Sequence, residues 1–292
     1  MQFGLAYGVT NERGRVPESE VGRIVETAIA AGIDVFDTAA AYGDSESVLG
    51  RALGSHTEIR VVSKLPAIAA DSIGAAEVEQ CRAAVDGSLT RLRRASLDTL
   101  LLHRPDDLRK PGADRLVALL LVLKQSGVLA KIGVSAYDSA QIAFAQTVLP
   151  LDVVQVPVNL LDQRLLLDGT LERLKHGSVE IHARSAFLQG VLLADPSRLP
   201  HHFGRYRDQL HGVAAAAEGT GLSRLGLCLR FVLMQPLVDR VIVGVTSVEE
   251  LRQILDAASD PVALPDGLTT LACDDADLLN PSLWPAEGGG GT

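Results

Sequence analysis

Short apolar runs alternate with longer amphipathic stretches along the whole chain. Apolar residues recur at helical spacing in the longer stretches, as in 21–29, where Val21, Ile24, Val25 and Ala28 share one face. The short runs are typical of buried strands, and there are seven: 33–36 (IDVF), 58–63 (EIRVVS), 97–102 (LDTLLL), 130–135 (AKIGVS), 151–156 (LDVVQV), 179–183 (VEIHA) and 240–244 (RVIVG).

This alternation predicts parallel strands joined by helical crossovers, in either an open doubly wound sheet or a closed barrel. No GxGxxG motif follows the first strand and no phosphate-binding loop motif occurs, so we favour an α/β fold of the (β/α)8 TIM-barrel type. The only candidate for an eighth strand is 1–6 (MQFGLA), and the sequence leaves open whether this first strand is truncated. We expect residues 1–260 to form one barrel domain and residues 261–292 to form a C-terminal tail with a flexible, glycine-rich end.

Composition narrows the class of protein. The 292 residues are 47% hydrophobic and 22% charged, which is typical of a globular chain. A net charge of −9 disfavours binding to nucleic acid or to an anionic membrane surface. Cys81, Cys228 and Cys273 are far apart, so neither a disulfide framework nor a metal site is expected. Without a leader-like start or a long apolar segment, the chain is expected to be cytoplasmic; its oligomeric state is not predicted.

Four ionisable residues follow three consecutive predicted strands. Asp37 and Tyr42 come after 33–36, Lys64 follows 58–63, and His103 follows 97–102. Each one alone has a structural explanation as a helix cap, a packed turn residue or a solvated strand end. In a parallel barrel, however, the C-terminal ends of all strands face one mouth. Their equivalent positions therefore favour a joint role in one site.

Reduction of a carbonyl by hydride is a reaction that uses this set of groups. Negative charge grows on the carbonyl oxygen, and Tyr42 can protonate it as a general acid. A phenol with a pKa of about 10 needs help near neutral pH, which the ammonium of Lys64 can give while Asp37 holds that ammonium in place. His103 can then orient the substrate oxygen, best as a neutral imidazole.

The motifs around these residues resemble the aldo-keto reductase superfamily, in particular bacterial members associated with sugar and polysaccharide metabolism. The resemblance covers nearly the whole chain and implies a (β/α)8 barrel that uses Asp, Tyr, Lys and His with a nicotinamide cofactor. It rests on 37–46 (DTAAAYGDSE), 61–64 (VVSK), 100–105 (LLLHRP), 132–138 (IGVSAYD), 154–164 (VQVPVNLLDQR), 183–190 (ARSAFLQG) and 241–251 (VIVGVTSVEEL).

The same resemblance implies where the cofactor would bind. Ser135 and Gln155 match residues that hydrogen-bond the nicotinamide carboxamide, and Ser185 matches a serine near the pyrophosphate. Arg184 stands where the family has an aromatic residue that stacks on the nicotinamide; a guanidinium plane can also stack, with an added charge. Asn159 either borders the cofactor or has a structural role.

The sequence departs from the family pattern where cofactor preference is decided. Ala136 replaces a common asparagine, and Glu250 replaces an arginine that NADPH-preferring members often use for the 2′-phosphate. A carboxylate repels a phosphate and accepts from a ribose hydroxyl, which favours NAD(H), whereas the family leans to NADP(H). Both cofactors therefore stay open, with Gly244, Thr246 and Glu250 expected beside the cofactor.

The function indicated is an NAD(P)(H)-dependent oxidoreductase that reduces an aldehyde, ketone or sugar carbonyl, or oxidises the alcohol, with Tyr42 as general acid or base. One alternative is a non-catalytic nicotinamide-binding barrel with a regulatory or scaffold role, against which the intact set of four residues argues. A second alternative is an aldolase that forms a Schiff base on Lys64. That alternative leaves Tyr42 and Asp37 unexplained.

Overall fold

The structure, a computed structural model, describes residues 3–5, 8 and 14–285. All seven predicted strands are present, and they form one parallel sheet in chain order. The strands are β1 (Val35–Asp37), β2 (Arg60–Leu65), β3 (Leu97–Leu102), β4 (Leu129–Ser135), β5 (Val153–Pro157), β6 (Glu180–Arg184) and β7 (Arg240–Val241). The largest difference from the predicted bounds is in β7, which ends at Val241 instead of continuing to residue 244.

Helices alternate with the strands and cover the outer face of the sheet. They are α1 (Glu18–Ala30), α2 (Ser45–Leu53), α3 (Ala75–Leu92), α4 (Ala113–Gln125), α5 (Ser139–Val148), α6 (Arg164–Leu167), α7 (Thr170–His176), α8 (Arg207–Thr220), α9 (Arg224–Leu233), α10 (Val248–Ser259) and α11 (Ala276–Leu279). The apolar face predicted for α1 is buried through Val21, Ile24, Val25 and Ala28. Burial of such faces is what holds each helix on the sheet.

The inner face of the sheet carries a small apolar cluster separate from the main core. It consists of Val62, Leu101 and Val153, with Val35 packed against them. Side chains two residues apart on a strand point to the same face, so the residues that follow this cluster also face inward. Four such steps lead to a residue predicted for the site: Val35 to Asp37, Val62 to Lys64, Leu101 to His103, and Val153 to Gln155.

The sheet curls until its two ends approach each other. Arg240 in β7 donates from Nη1 to Oδ1 of Asp34, which directly precedes β1, at 3.1 Å. Nearby, Glu20 of α1 accepts from the backbone N–H of Val248 at the start of α10, at 2.8 Å. β7 therefore lies near the start of β1, and α10 lies near α1, as in a barrel.

The segment expected to supply an eighth strand differs from that prediction where it is described. Residues 3–5 lie in a turn, and residues 1, 2 and 6 lie outside the described residues. Phe3 is buried in the core. Within the described part of the chain, β1 and β7 are the two ends of the sheet.

The residues after α10 pack against the barrel as far as they are described. Leu278 and Leu279 are fully buried, and the Leu268 carbonyl accepts from the side-chain amide of Gln163 at 2.9 Å. Trp284 meets Phe203 edge-on with ring centroids 5.0 Å apart. Residues 286–292, which include the glycine run, lie outside the described residues.

No helix among the described residues is both long and apolar enough to span a bilayer. The described part of the chain also brings together no group of three or more His, Cys, Asp and Glu side chains suited to a metal ion. Cys81, Cys228 and Cys273 are free thiols.

Candidate active site

A cavity of about 800 Å³ opens at the C-terminal ends of the strands. It is lined by all the residues predicted for the site except Lys64: Asp37, Tyr42, His103, Ser135, Gln155, Arg184, Ser185, Gly244, Thr246 and Glu250. Residues from distant parts of the chain thus meet in one cavity because they lie at or beyond the C-terminal ends of parallel strands.

Lys64 lies just beneath the cavity, in a buried ion pair with Asp37. Its Nζ donates to Asp37 Oδ1 at 2.5 Å and to the Thr38 carbonyl at 2.9 Å. The side chains of Lys64 and Asp37 are only 1% and 8% exposed. Gln155 donates from Nε2 to the other Asp37 oxygen at 2.8 Å, so both carboxylate oxygens are fixed.

The pKa values of Asp37 and Lys64 are both lowered from their ordinary values by the combined effects of burial and neighbouring charges. Burial is the largest single influence on Asp37 and opposes its charge, but the Lys64 ammonium and the hydrogen bonds from Lys64 and Gln155 together hold the pKa of Asp37 below its ordinary value. Burial lowers the pKa of Lys64; Asp37 opposes that shift, and the positive charge of Arg184 adds to it. Lys64 therefore holds its proton less firmly than a solvated lysine does.

Tyr42 lies beside both Lys64 and His103. The Lys64 Nζ is 5.4 Å from the centre of the Tyr42 ring, and the His103 ring meets that ring edge-on with centroids 5.7 Å apart. A tight turn positions Tyr42, because its N–H donates to the Ala39 carbonyl at 3.0 Å and its carbonyl accepts from the Ser45 N–H at 3.1 Å.

His103 is held in its neutral form. Burial lowers the pKa of His103 to about 4, and the positive charges of Lys64 and Arg184 contribute to the shift. At neutral pH the imidazole therefore has one N–H donor and one acceptor nitrogen. A neutral donor next to Tyr42 suits an uncharged carbonyl oxygen.

Ser135 and Gln155 are paired neighbours on β4 and β5. Because the Gln155 amide nitrogen binds Asp37, the Gln155 side chain has a fixed orientation in the cavity wall. Asn159, for which two roles were open, supports the loop after β5: it donates to the Ser185 carbonyl at 3.1 Å and accepts from the N–H groups of Leu161 and Asp162.

Arg184 stacks on Tyr137, a cavity residue that sequence reasoning missed. The guanidinium carbon lies 4.2 Å from the centre of the Tyr137 ring. Tyr137 follows Ser135 by two residues at the end of β4, and that position was the signal available in the sequence. An aromatic ring is therefore present in the cavity wall, stacked against the arginine.

At the far end of the cavity, a carboxylate caps α10. Ser247 accepts from the Glu250 N–H at 3.2 Å, as an N-cap serine does. The Glu250 carboxylate in turn accepts from the Thr246 N–H at 2.7 Å and from the Thr246 hydroxyl at 2.8 Å. Glu250 thus places negative charge on the positive end of the helix dipole.

Further lining residues come from segments without a periodic pattern. Ser185, Leu188 and Gln189 have positive φ angles of 61°, 46° and 54°, an unusual backbone for residues other than glycine. This bend places Phe187 and Gln189 in the cavity wall, and Ser282 reaches the cavity from the C-terminal segment. No spacing rule pointed to them.

Comparison with known proteins agrees with this geometry. The model of the aldo/keto reductase family matches residues 1–265. The oxidoreductase YdhF of Escherichia coli is 34% identical over 172 residues, which cover 58% of this chain and 55% of that protein. A 6-dehydroglucose reductase of Novosphingobium aromaticivorans is 31% identical over 156 residues, or 48% of this chain and 49% of that protein. The chain thus spans about half the length of these two relatives.

A solved structure shows the same fold. The glycerol dehydrogenase of Gluconobacter oxydans superposes with a TM-score of 0.72 at 22% identity, covering 100% of this chain and 94% of the other. The predicted barrel class and the predicted family resemblance are both confirmed. With residues 1–265 matched by the family model, the chain belongs to the aldo/keto reductase family of oxidoreductases.

Proposed function

We propose that this protein is a nicotinamide-dependent oxidoreductase that interconverts a carbonyl group and an alcohol on a small aldehyde, ketone or sugar. The observation that carries this proposal is the convergence of Tyr42, His103 and the buried Lys64–Asp37 pair at one end of the cavity. A buried ion pair is costly to maintain, and its position under a phenol gives it a chemical use.

The roles of the four side chains follow from their positions. A nicotinamide, when bound, would supply hydride to the carbonyl carbon. Tyr42 would give its phenolic proton to the carbonyl oxygen and regain a proton from solvent. The Lys64 ammonium stabilises the resulting phenolate, and Asp37 keeps that ammonium in place. Neutral His103 donates a hydrogen bond to the substrate oxygen and orients it.

The cavity suits a dinucleotide in size and in the order of its polar groups. About 800 Å³ falls within the range of cofactor sites. Ser135 and Gln155 would hold the carboxamide of the nicotinamide, Ser185 would lie near the pyrophosphate, and Thr246 and Glu250 would lie beside the adenosine ribose. These assignments rest on the family resemblance and on the shared cavity.

Glu250 favours NAD(H) over NADP(H). Its carboxylate is held at the start of α10 by Thr246, so it would face a ribose hydroxyl as an acceptor and a 2′-phosphate as a like charge. Among the described lining residues, Arg184 is the only lysine or arginine, and it belongs to the end of the cavity near His103. No cation on the described wall compensates a second phosphate at the Glu250 end.

The named activities of similar proteins support a polyhydroxylated substrate. One relative is a 6-dehydroglucose reductase and one structural neighbour is a glycerol dehydrogenase. We propose a sugar or polyol as the substrate class. The Schiff-base alternative is disfavoured because Lys64 is 1% exposed and engaged with Asp37, so its amine does not face the cavity.

The test follows nicotinamide absorbance with NADH and NADPH against a panel of aldehydes, ketones and sugars. We expect Tyr42→Phe to lower kcat by roughly 10²-fold or more with little change in cofactor affinity. Tyr206→Phe, the same chemical change outside the cavity, is the matched control. Turnover that survives in Tyr42→Phe contradicts the general-acid role, and cofactor binding without turnover on any substrate favours the scaffold alternative.

A further inference from the structure

Arg184 is a cation in the cavity wall without an acidic partner among the described residues. Its terminal nitrogens donate to two neutral oxygens, the Ser185 hydroxyl and the Ala136 carbonyl, both at 3.3 Å. Its Nε is buried and has no acceptor in the described part of the chain. Tyr137 covers one face of the guanidinium at 4.2 Å. The guanidinium of Arg184 is therefore held in place, but no carboxylate among the described residues neutralises its charge.

This charge acts on the reacting end of the cavity. Arg184 contributes to the lowered pKa values of both Lys64 and His103. The carboxylate of Asp37, which is engaged by Lys64 and Gln155, opposes this shift at His103, but the pKa of His103 is still lowered. Tyr42 and His103 thus lie in a region where a further positive charge is disfavoured.

A nicotinamide ring carries one positive charge when oxidised and none when reduced. Under the proposed function, on which this inference rests, the ring must lie within a few ångströms of a carbonyl bound by Tyr42 and His103. We propose that Arg184 makes the site discriminate between the two redox states, weakening the binding of the oxidised cofactor relative to the reduced one. The other cofactor charges are the same in both states and cancel in this comparison.

The consequence is that the side chain of Arg184 favours the direction of carbonyl reduction over alcohol oxidation. After carbonyl reduction the oxidised cofactor is the form that the site holds less firmly, so its release is favoured. We expect the ratio of the dissociation constants, oxidised over reduced, to depend on the charge at position 184 by about tenfold, because partly screened charges a few ångströms apart interact at this level. A tenfold increase in that ratio raises the two-electron potential of the bound cofactor by about 30 mV.

The test measures binding, separately from turnover. NAD⁺ and NADH are each titrated into the parent protein and into Arg184→Met and Arg184→Lys by calorimetry, with circular dichroism to verify folding. The ratio should fall about tenfold in Arg184→Met and stay near the parental value in Arg184→Lys, which keeps the charge. Arg109→Met is the matched control, since Arg109 also stacks on a ring, that of Phe144 at 4.0 Å, but does not line the cavity.

The outcomes separate this inference from the proposed function. If the parent binds both forms and the ratio is unchanged in Arg184→Met, the inference is wrong and the proposed function stands. If Arg184→Lys lowers the ratio as much as Arg184→Met does, charge is not the cause and the inference is also wrong. Failure of the parent to bind either form of NAD(H) or NADP(H) overturns the proposed function itself. Arg184→Gln gives the same comparison if Arg184→Met does not fold.

Discussion

Gly4 lies in direct backbone contact with the loop that presents Tyr42. A methyl group added at Gly4 would lie 2.2 Å from the Tyr42 carbonyl oxygen and 2.5 Å from the amide nitrogen of Ser45. Phe3, next to it, is buried in the core and fixes this turn on the barrel. The described turn at residues 3–5 therefore supports the loop that positions Tyr42, the proposed general acid.

We accordingly expect Gly4→Ala to displace the Tyr42 loop. Because the added methyl meets backbone atoms that cannot rotate away, kcat should fall by about 10- to 100-fold, while cofactor affinity changes little. Steady-state kinetics and cofactor titration measure the two effects. Gly22→Ala is the control: no atom lies within 4 Å of a methyl group there, and the helical position should gain slightly in stability. Normal kcat in Gly4→Ala would mean that the loop does not depend on this contact.

The Lys64–Asp37 pair should behave as a coupled unit in unfolding experiments. Asp37→Asn leaves the Lys64 charge buried near Arg184, so we expect a loss of about 3–5 kcal/mol in the free energy of unfolding. Lys64→Met should also destabilise, and the double variant should lose less than the sum of the two single losses. Urea denaturation of all four proteins measures the coupling.

A surface pair provides the comparison for that cycle. Arg205 and Asp277 also form an ion pair, at 2.9 Å, but both side chains are 59% exposed. Asp277→Asn should change the free energy of unfolding far less than Asp37→Asn does, because solvent screens the exposed pair. Strict additivity between Asp37→Asn and Lys64→Met would show that the two buried groups do not depend on each other.

The sequence predicted the site residues that lie on or directly after strands better than it predicted those in irregular segments, for a physical reason. Asp37, Lys64, His103 and Gln155 each follow an inward-facing strand residue by two positions, so strand periodicity and parallel crossovers determine where they lie. Their convergence at one end of the barrel could be predicted from those rules alone. The strength of the Lys64–Asp37 contact could not, because it depends on side-chain packing.

Other residues that line the cavity come from segments with no repeating pattern. Gln189 reaches the cavity through a run of left-handed backbone angles, and Ser282 reaches it from a segment expected to be a tail. Their positions depend on long-range packing, such as that of Leu278 and Leu279 in the core. Local sequence spacing carries no information about such contacts. Tyr137 is the exception, since its place just past β4 could have drawn attention to it.

Glu250 should set the preference between NADH and NADPH. Replacing its carboxylate by an amide in Glu250→Gln removes the repulsion of a 2′-phosphate, so affinity for NADPH relative to NADH should rise by about 5- to 10-fold. Fluorescence titration of both reduced cofactors measures this ratio. Glu249→Gln is the control, because it removes the same charge one residue away at an exposed position that does not line the cavity. An unchanged ratio in Glu250→Gln would place the 2′-position away from this carboxylate.

The lowered pKa of His103 predicts how stability depends on pH. Burial and two nearby cations lower this pKa from its ordinary 6.5 to about 4, so between these values the unfolded chain binds a proton that the folded protein rejects. The free energy of unfolding should therefore rise with pH across this window and level off above it, by at most about 3 kcal/mol from this half-buried group. Urea denaturation between pH 4.5 and 7 should show the slope in the parent protein and a smaller one in His103→Gln.

His56 provides a control of opposite sign for that experiment. Hydrogen bonds that His56 donates to Glu58 and Glu26 raise the pKa of His56, so its contribution to stability is present below its ordinary pKa and is lost as pH rises through the folded value. This loss lies above pH 6.5, on the other side of the His103 window, so the measurements are extended above pH 7: the fall in stability expected there should be smaller in His56→Gln, whereas His103→Gln should flatten the rise below pH 6.5. Carboxylates with lowered pKa values, such as Glu180 at about 2, lose their contribution to stability mainly below pH 4.5. They therefore do not obscure the difference between the two histidine variants. An equal slope in the parent and in His103→Gln would mean that His103 takes up its proton as readily in the folded protein as in the unfolded chain.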